Sequence, residues 1–156
     1  MKIQSTVCLI SALSLLALGA GCSSLGGNQT SSKELSANGP TILNARTEPS
    51  TVELNPNLQP KEAPQVLADV KDFNSNVNNV KLRFVHVPLE IPMHNIGGTT
   101  WEGRITQKQL SMLAVAGKTM NYEANIIAKN EAGQTAVTES PITVSVKAPD
   151  VTPSFG

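Results

Sequence analysis

The chain has 156 residues with 12 basic and 12 acidic side chains, so its formal charge is zero and it has no cationic surplus to hold a nucleic acid or another polyanion. Lys2 is the only charged residue among residues 1–21, which leaves 11 basic and 12 acidic groups in the rest of the chain. The length suits one core rather than two, and with three Phe, one Trp and one Tyr that core has to be built from Val, Ile, Leu and Ala.

At the N-terminus Lys2 precedes an apolar run from Val7 to Leu18, and the small residues Gly19-Ala20-Gly21 lead to Cys22. That order of charge, apolar stretch and small residues describes a secretion signal over residues 1–21. The run is short for a permanent span, and Gly26-Gly27-Asn28-Gln29-Thr30 follows where a stop-transfer segment would carry Lys or Arg. The segment Leu18-Gly19-Ala20-Gly21-Cys22 resembles the lipobox of bacterial lipoproteins, with Leu18 one place further from the cysteine than is usual there. The resemblance implies that residues 1–21 are removed and that Cys22 is acylated, so that the membrane itself is a partner. Ser23, where Asp would mark retention, implies delivery to the outer membrane, with the leaflet left open.

Cysteine usage agrees with a lipid. Cys8 leaves with the signal, so Cys22 remains alone in an oxidising compartment, where it has no disulfide partner. At ~0.8 kcal/mol per buried CH₂, two or three acyl chains hold a protein on a membrane where one would not. The alternative is a plain secreted chain cut at an A-x-A-like site, with Cys22 a free thiol. Residues 22–39 carry no apolar period and read as a flexible Gly/Ser-rich tether, about 20–25 Å from end to end.

From residue 40 to residue 149 the pattern turns to period 2. Val66, Ala68 and Val70 alternate with Leu67, Asp69 and Lys71, Val80, Leu82 and Phe84 alternate with Lys81, Arg83 and Val85, and each run reads as a half-buried strand. Weaker strand signals lie at 42–46, 51–54, 89–93 and 100–105. Residues 107–113, with Leu110 and Leu113 on one face of any helical turn, are read as a short crossover turn. Tyr122, Ala124, Ile126 and Ala128 form one clear strand and Ile142, Val144 and Val146 another. The polar turn Asn130-Glu131-Ala132-Gly133-Gln134 between them predicts that the two pair as an antiparallel hairpin. After Pro149 the last residues, 150–156, read as a loose tail. About seven short strands without long helical patterns predict an all-β fold, a single antiparallel sandwich.

The run from Leu113 through Gly117-Lys118-Thr119 to Tyr122, continuing to Ala128-Lys129-Asn130-Glu131-Ala132-Gly133, resembles the penultimate strand of fibronectin type III and related immunoglobulin-like domains. The resemblance implies a disulfide-free immunoglobulin-like sandwich over residues 40–149. It also implies that Tyr122 packs its ring inside and bonds its hydroxyl to upstream backbone.

The chemistry-bearing residues are sparse. Asp72, Asn74, Asn76 and Asn78 alternate as the oxygen ligands of a calcium loop do, but Val77 stands where Gly is needed and Arg83 where a bidentate Glu is needed. An Asx-rich turn capping local amides is the preferred reading, with weak calcium binding over Asp72–Asn78 as the alternative. His86 and His94 lack further ligands at zinc spacing, and His86 is placed at the rim of the core. No G-x-S-x-G serine and no Cys–His pair is present, so neither catalytic residues nor a cofactor are expected. Gly97-Gly98 reads as a hairpin turn. Trp101 closes the core or, as the alternative, offers a platform for a glycan. The segment Pro88–Met93 reads as an edge strand that presents Leu89, Ile91 and Met93 to a protein partner of the envelope, since prolines confine a strand to an edge. The function expected from these readings is a membrane-anchored, non-catalytic binding or structural module.

Overall fold

The computed structural model describes residues 39–150. The signal at 1–21, Cys22 with nearly all of the 22–39 tether, and residues 151–156 of the tail lie outside the described residues. Nine strands and one helix follow in chain order: β1 (Thr41–Glu48), β2 (Thr51–Glu53), β3 (Gln65–Lys71), β4 (Val77–Phe84), β5 (Glu90–Gly97), β6 (Thr100–Arg104), α1 (Gln107–Leu113), β7 (Thr119–Asn130), β8 (Thr135–Val137) and β9 (Ile142–Lys147). The fold is therefore all-β, as the alternating runs require.

The strands join in one hydrogen-bonded path, β1-β3-β6-β5-β4-β7-β9-β2, with β8 attached to β7. The expected count of seven is thus exceeded, and the sheet is nearly closed and barrel-like. The reason is β5, which changes partner along its length. Glu90–Met93 pair with β4, and His94, Asn95 and Gly97 pair with β6, so one strand carries the ladder round the corner. Near the two ends of the path, the Thr47 hydroxyl of β1 donates to the Thr143 carbonyl of β9 at 3.0 Å. The strand with no counterpart in the sequence pattern is β8. Asn130–Gln134, with Gly133 at φ 83°, turns β7 into β8 and not directly into β9. The expected β7–β9 pairing exists, through Thr119–Ala124, while the far part of β7, Ile127–Lys129, takes β8.

Period 2 translates into burial. Val66, Ala68 and Val70 of β3, Val80, Leu82 and Phe84 of β4, Ala124, Ile126 and Ala128 of β7, and Val144 and Val146 of β9 all enter one core. Each large aliphatic side chain among them contributes about 1.5–3 kcal/mol by leaving water. Residues 107–113 form a true helix, against the reading of a turn. Thr106 and Gln109 make a capping box, Gln109 Oε1 accepting from the Thr106 N–H at 2.8 Å, and Leu110 and Leu113 are fully buried. A T-x-x-Q start and an i,i+3 apolar pair suffice for one short amphipathic helix when a core lies beneath it.

Candidate functional site

Asp72 organises one pole of the barrel. Its Oδ1 accepts from the backbone N–H groups of Asn74 (2.9 Å) and Ser75 (3.2 Å), and its Oδ2 accepts from the Asn130 side-chain amide at 2.7 Å. These bonds, the Asn74 amide first, hold the carboxyl below its ordinary value. Asn130 is fully buried, and it also donates to Gln134 Oε1 at 2.8 Å and accepts from the Gln134 N–H at 2.8 Å. The β3–β4 and β7–β8 turns are joined a second time where the Glu131 N–H donates to the Asn76 carbonyl and the Asn76 amide to Glu131. Asp72 thus spends both carboxyl oxygens on neighbouring protein groups, and the Asn76 backbone carbonyl and side-chain N–H are turned to Glu131. Among the described residues no cluster of three or more His, Cys, Asp or Glu side chains is placed to hold a metal.

Beside this turn lies a cleft of about 500 Å³, walled by Lys71, Asp72, Phe73 and Asn76 on one side and by Asn95, Gly98, Thr99 and Trp101 on the other. The Val70 N–H donates to the Thr99 carbonyl at 2.8 Å, which brings the β5–β6 turn against the end of β3. Asn95 fixes that turn, its Oδ1 accepting from the Gly97 N–H and its amide donating to the Gly98 carbonyl. Trp101 is only 9% exposed, so it closes the core and offers the cleft an edge, not an open platform. Phe73 is the side chain that stands out, 69% exposed at the lip. Sequence reasoning passed over it. The signal was an aromatic residue inside a polar turn, with no apolar partner at i±2 to draw it into a core.

Tyr122 lies half-buried on β7, its hydroxyl donating to the Leu113 carbonyl at 2.5 Å and its ring edge-on to Phe84 at 6.3 Å. The proposed partner edge needs correction. Leu89, Ile91 and Met93 are only 8%, 2% and 4% exposed and belong to the core. The alternation that made them look like a docking strip points them inward and turns Pro88, Glu90 and Pro92 to solvent. Pro92 fits because the 90–93 half of β5 pairs on one side only, to β4. His86 is likewise exposed in the bend after β4, not at the core rim, because the strand ends at Phe84; His94 is exposed on β5.

The opposite pole carries an exposed cluster of ion pairs. Glu53 on β2 pairs with Lys61 (2.6 Å) and Lys147 (3.0 Å), and the two ammonium groups pull its carboxyl from 4.5 down to about 2. Comparison with protein-family models, with curated proteins and with solved structures found no match.

Proposed function

We propose that this protein is a lipid-anchored component of a bacterial envelope, bound to the outer membrane through acylated Cys22, whose folded part is an immunoglobulin-like module of the fibronectin type III kind that works by binding rather than by catalysis. One observation carries the proposal: Cys22 is the sole cysteine once residues 1–21 are removed, and it directly follows Leu18-Gly19-Ala20-Gly21.

The strand path supports the module. In this reading β1, β3 and β6 with the second half of β5 stand for the four-strand sheet of an immunoglobulin constant-type domain and β4, β7 and β9 for the three-strand sheet, to which β2, β8 and the first half of β5 are additions. Tyr122 supports it too, since its hydroxyl reaches back nine residues to the end of the preceding crossover. In this reading the module is held together without a disulfide, and Cys22 sets its location.

Density-gradient fractionation with in-cell crosslinking tests both halves. The full chain is expected at outer-membrane density and crosslinked to a defined envelope protein, and Cys22→Ser is expected to leave that band. Identical fractionation of the two chains would end the anchor claim. Wild-type chain at the outer membrane with no crosslinked protein would end the binding claim.

A further inference from the structure

We propose that the cleft between Phe73 and Asn95 binds a neutral saccharide, with the apolar face of a sugar ring laid on Phe73. This goes beyond the anchoring proposal and does not depend on it.

The described residues hold four aromatic side chains, Phe73, Phe84, Trp101 and Tyr122, and two of them line this cleft. Phe84 and Tyr122 pack on one another, and Trp101 belongs to the core, so three of the four have a structural use. Phe73 has none. It takes no part in the core, and a phenyl ring left 69% in water forgoes the burial that such side chains ordinarily supply.

The polar lining sets the class of ligand. Asn76, Asn95, Ser75 and Thr99 are uncharged, and the single Lys71 is balanced by Asp72. A cleft of that balance does not concentrate the positive charge that a phosphate or nucleic acid needs. Nor does it offer a free carboxylate for a cation, because Asp72 is committed to Asn74, Ser75 and Asn130. A pyranose ring matches what is left, with C–H groups on one face for Phe73 and hydroxyls at its rim for the Ser75 and Thr99 hydroxyls and for the second N–H of the Asn95 amide, whose first N–H serves Gly98. About 500 Å³ is within the roughly 300–1,000 Å³ usual for small-molecule sites. The Asp72–Asn130 and Asn95–Gly98 bonds hold both walls in place before any ligand arrives, which lowers the ordering cost of binding.

Trp101 is the only Trp of the chain and edges the cleft, so its emission reports occupancy. The full chain in detergent is titrated with chitotetraose, maltotetraose and cellotetraose, and separately with phosphatidylethanolamine–phosphatidylglycerol vesicles. The expected result is a saturable change in Trp101 emission with at least one tetrasaccharide. Phe73→Ala should weaken that titration about tenfold, the loss of one stacked aromatic contact. Its thermal midpoint should stay at the wild-type value, because the ring it removes is exposed. Three results overturn the proposal: no tetrasaccharide alters the emission at millimolar concentration, Phe73→Ala titrates as wild type does, or only the vesicles produce a change.

Discussion

Replacing Tyr122 by Phe removes one oxygen atom and leaves the ring. The hydroxyl donates to the carbonyl of Leu113, the last residue of α1, whose oxygen is among those a helix leaves without an internal partner. The edge contact with Phe84 at 6.3 Å is unaffected, so the variant isolates the hydrogen bond. A net bond of ~0.5–1.5 kcal/mol is lost, and the abandoned carbonyl is only partly rewetted beside a half-buried ring, so the expected cost is about 1–2 kcal/mol. For a domain of this size that lowers the thermal midpoint by about 4–8 °C. Tyr122→Ala, which also removes the ring, should cost about 3 kcal/mol or more. Urea unfolding followed by Trp101 emission is the assay, with the midpoint expected to move at unchanged slope. If Tyr122→Phe unfolds with the wild-type midpoint, the hydroxyl is not tying α1 to β7 and the corner account is wrong. If it costs as much as Tyr122→Ala, something other than this bond is being measured.

Three further perturbations follow from the packing and charges. A Cβ on Gly103 of β6 would sit 2.9 Å from Met93 Cγ, so Gly103→Ala should cost about 1–3 kcal/mol by overcrowding, and an unchanged urea midpoint would show that β5 and β6 are not so close. Thr41 Oγ1 is buried without a hydrogen-bond partner among the described residues, so Thr41→Val, which keeps the shape, should stabilise by about 1 kcal/mol; a lower thermal midpoint would mean the hydroxyl has a partner. The Glu53 carboxyl sits at about 2 in the folded chain against an ordinary 4.5, so its contribution is present above about pH 4.5 and is lost as pH falls toward 2. Glu53→Gln should flatten that part of the stability–pH curve, and salt should shrink the difference because the pair is exposed. A curve of unchanged steepness in the variant would assign the acid transition to other carboxylates.

The strands were legible where one face meets the core and the other meets water, as at Val80-Lys81-Leu82-Arg83-Phe84. Period 2 then carries both the element and its inward set. The same pattern misled at Leu89, Ile91 and Met93, because alternation states that one face is apolar without stating whether another layer covers it. Closure at β5 was hidden for a related reason. A strand that pairs with β4 in its first half and β6 in its second has no local mark of the exchange beyond Pro92, which only forbids one hydrogen bond. The three-residue β8 was too short to form a period. Helix α1 was readable from Thr106 and Gln109, and lost because seven residues form a helix only on a surface that buries Leu110 and Leu113. The cleft needed topology, since Phe73 and Asn95 are brought to it by strands far apart in the chain, and the sequence singled out Trp101, the aromatic that the core absorbs.

The central claim is that Cys22 carries the lipid that places this module at a membrane. Intact-mass and N-terminal analysis of the chain extracted from membranes tests it most directly. The account predicts a mature chain that begins at Cys22 and exceeds its polypeptide mass by the acyl groups on that residue. A mature chain that begins elsewhere, or one that begins at Cys22 with an unmodified thiol, would contradict it.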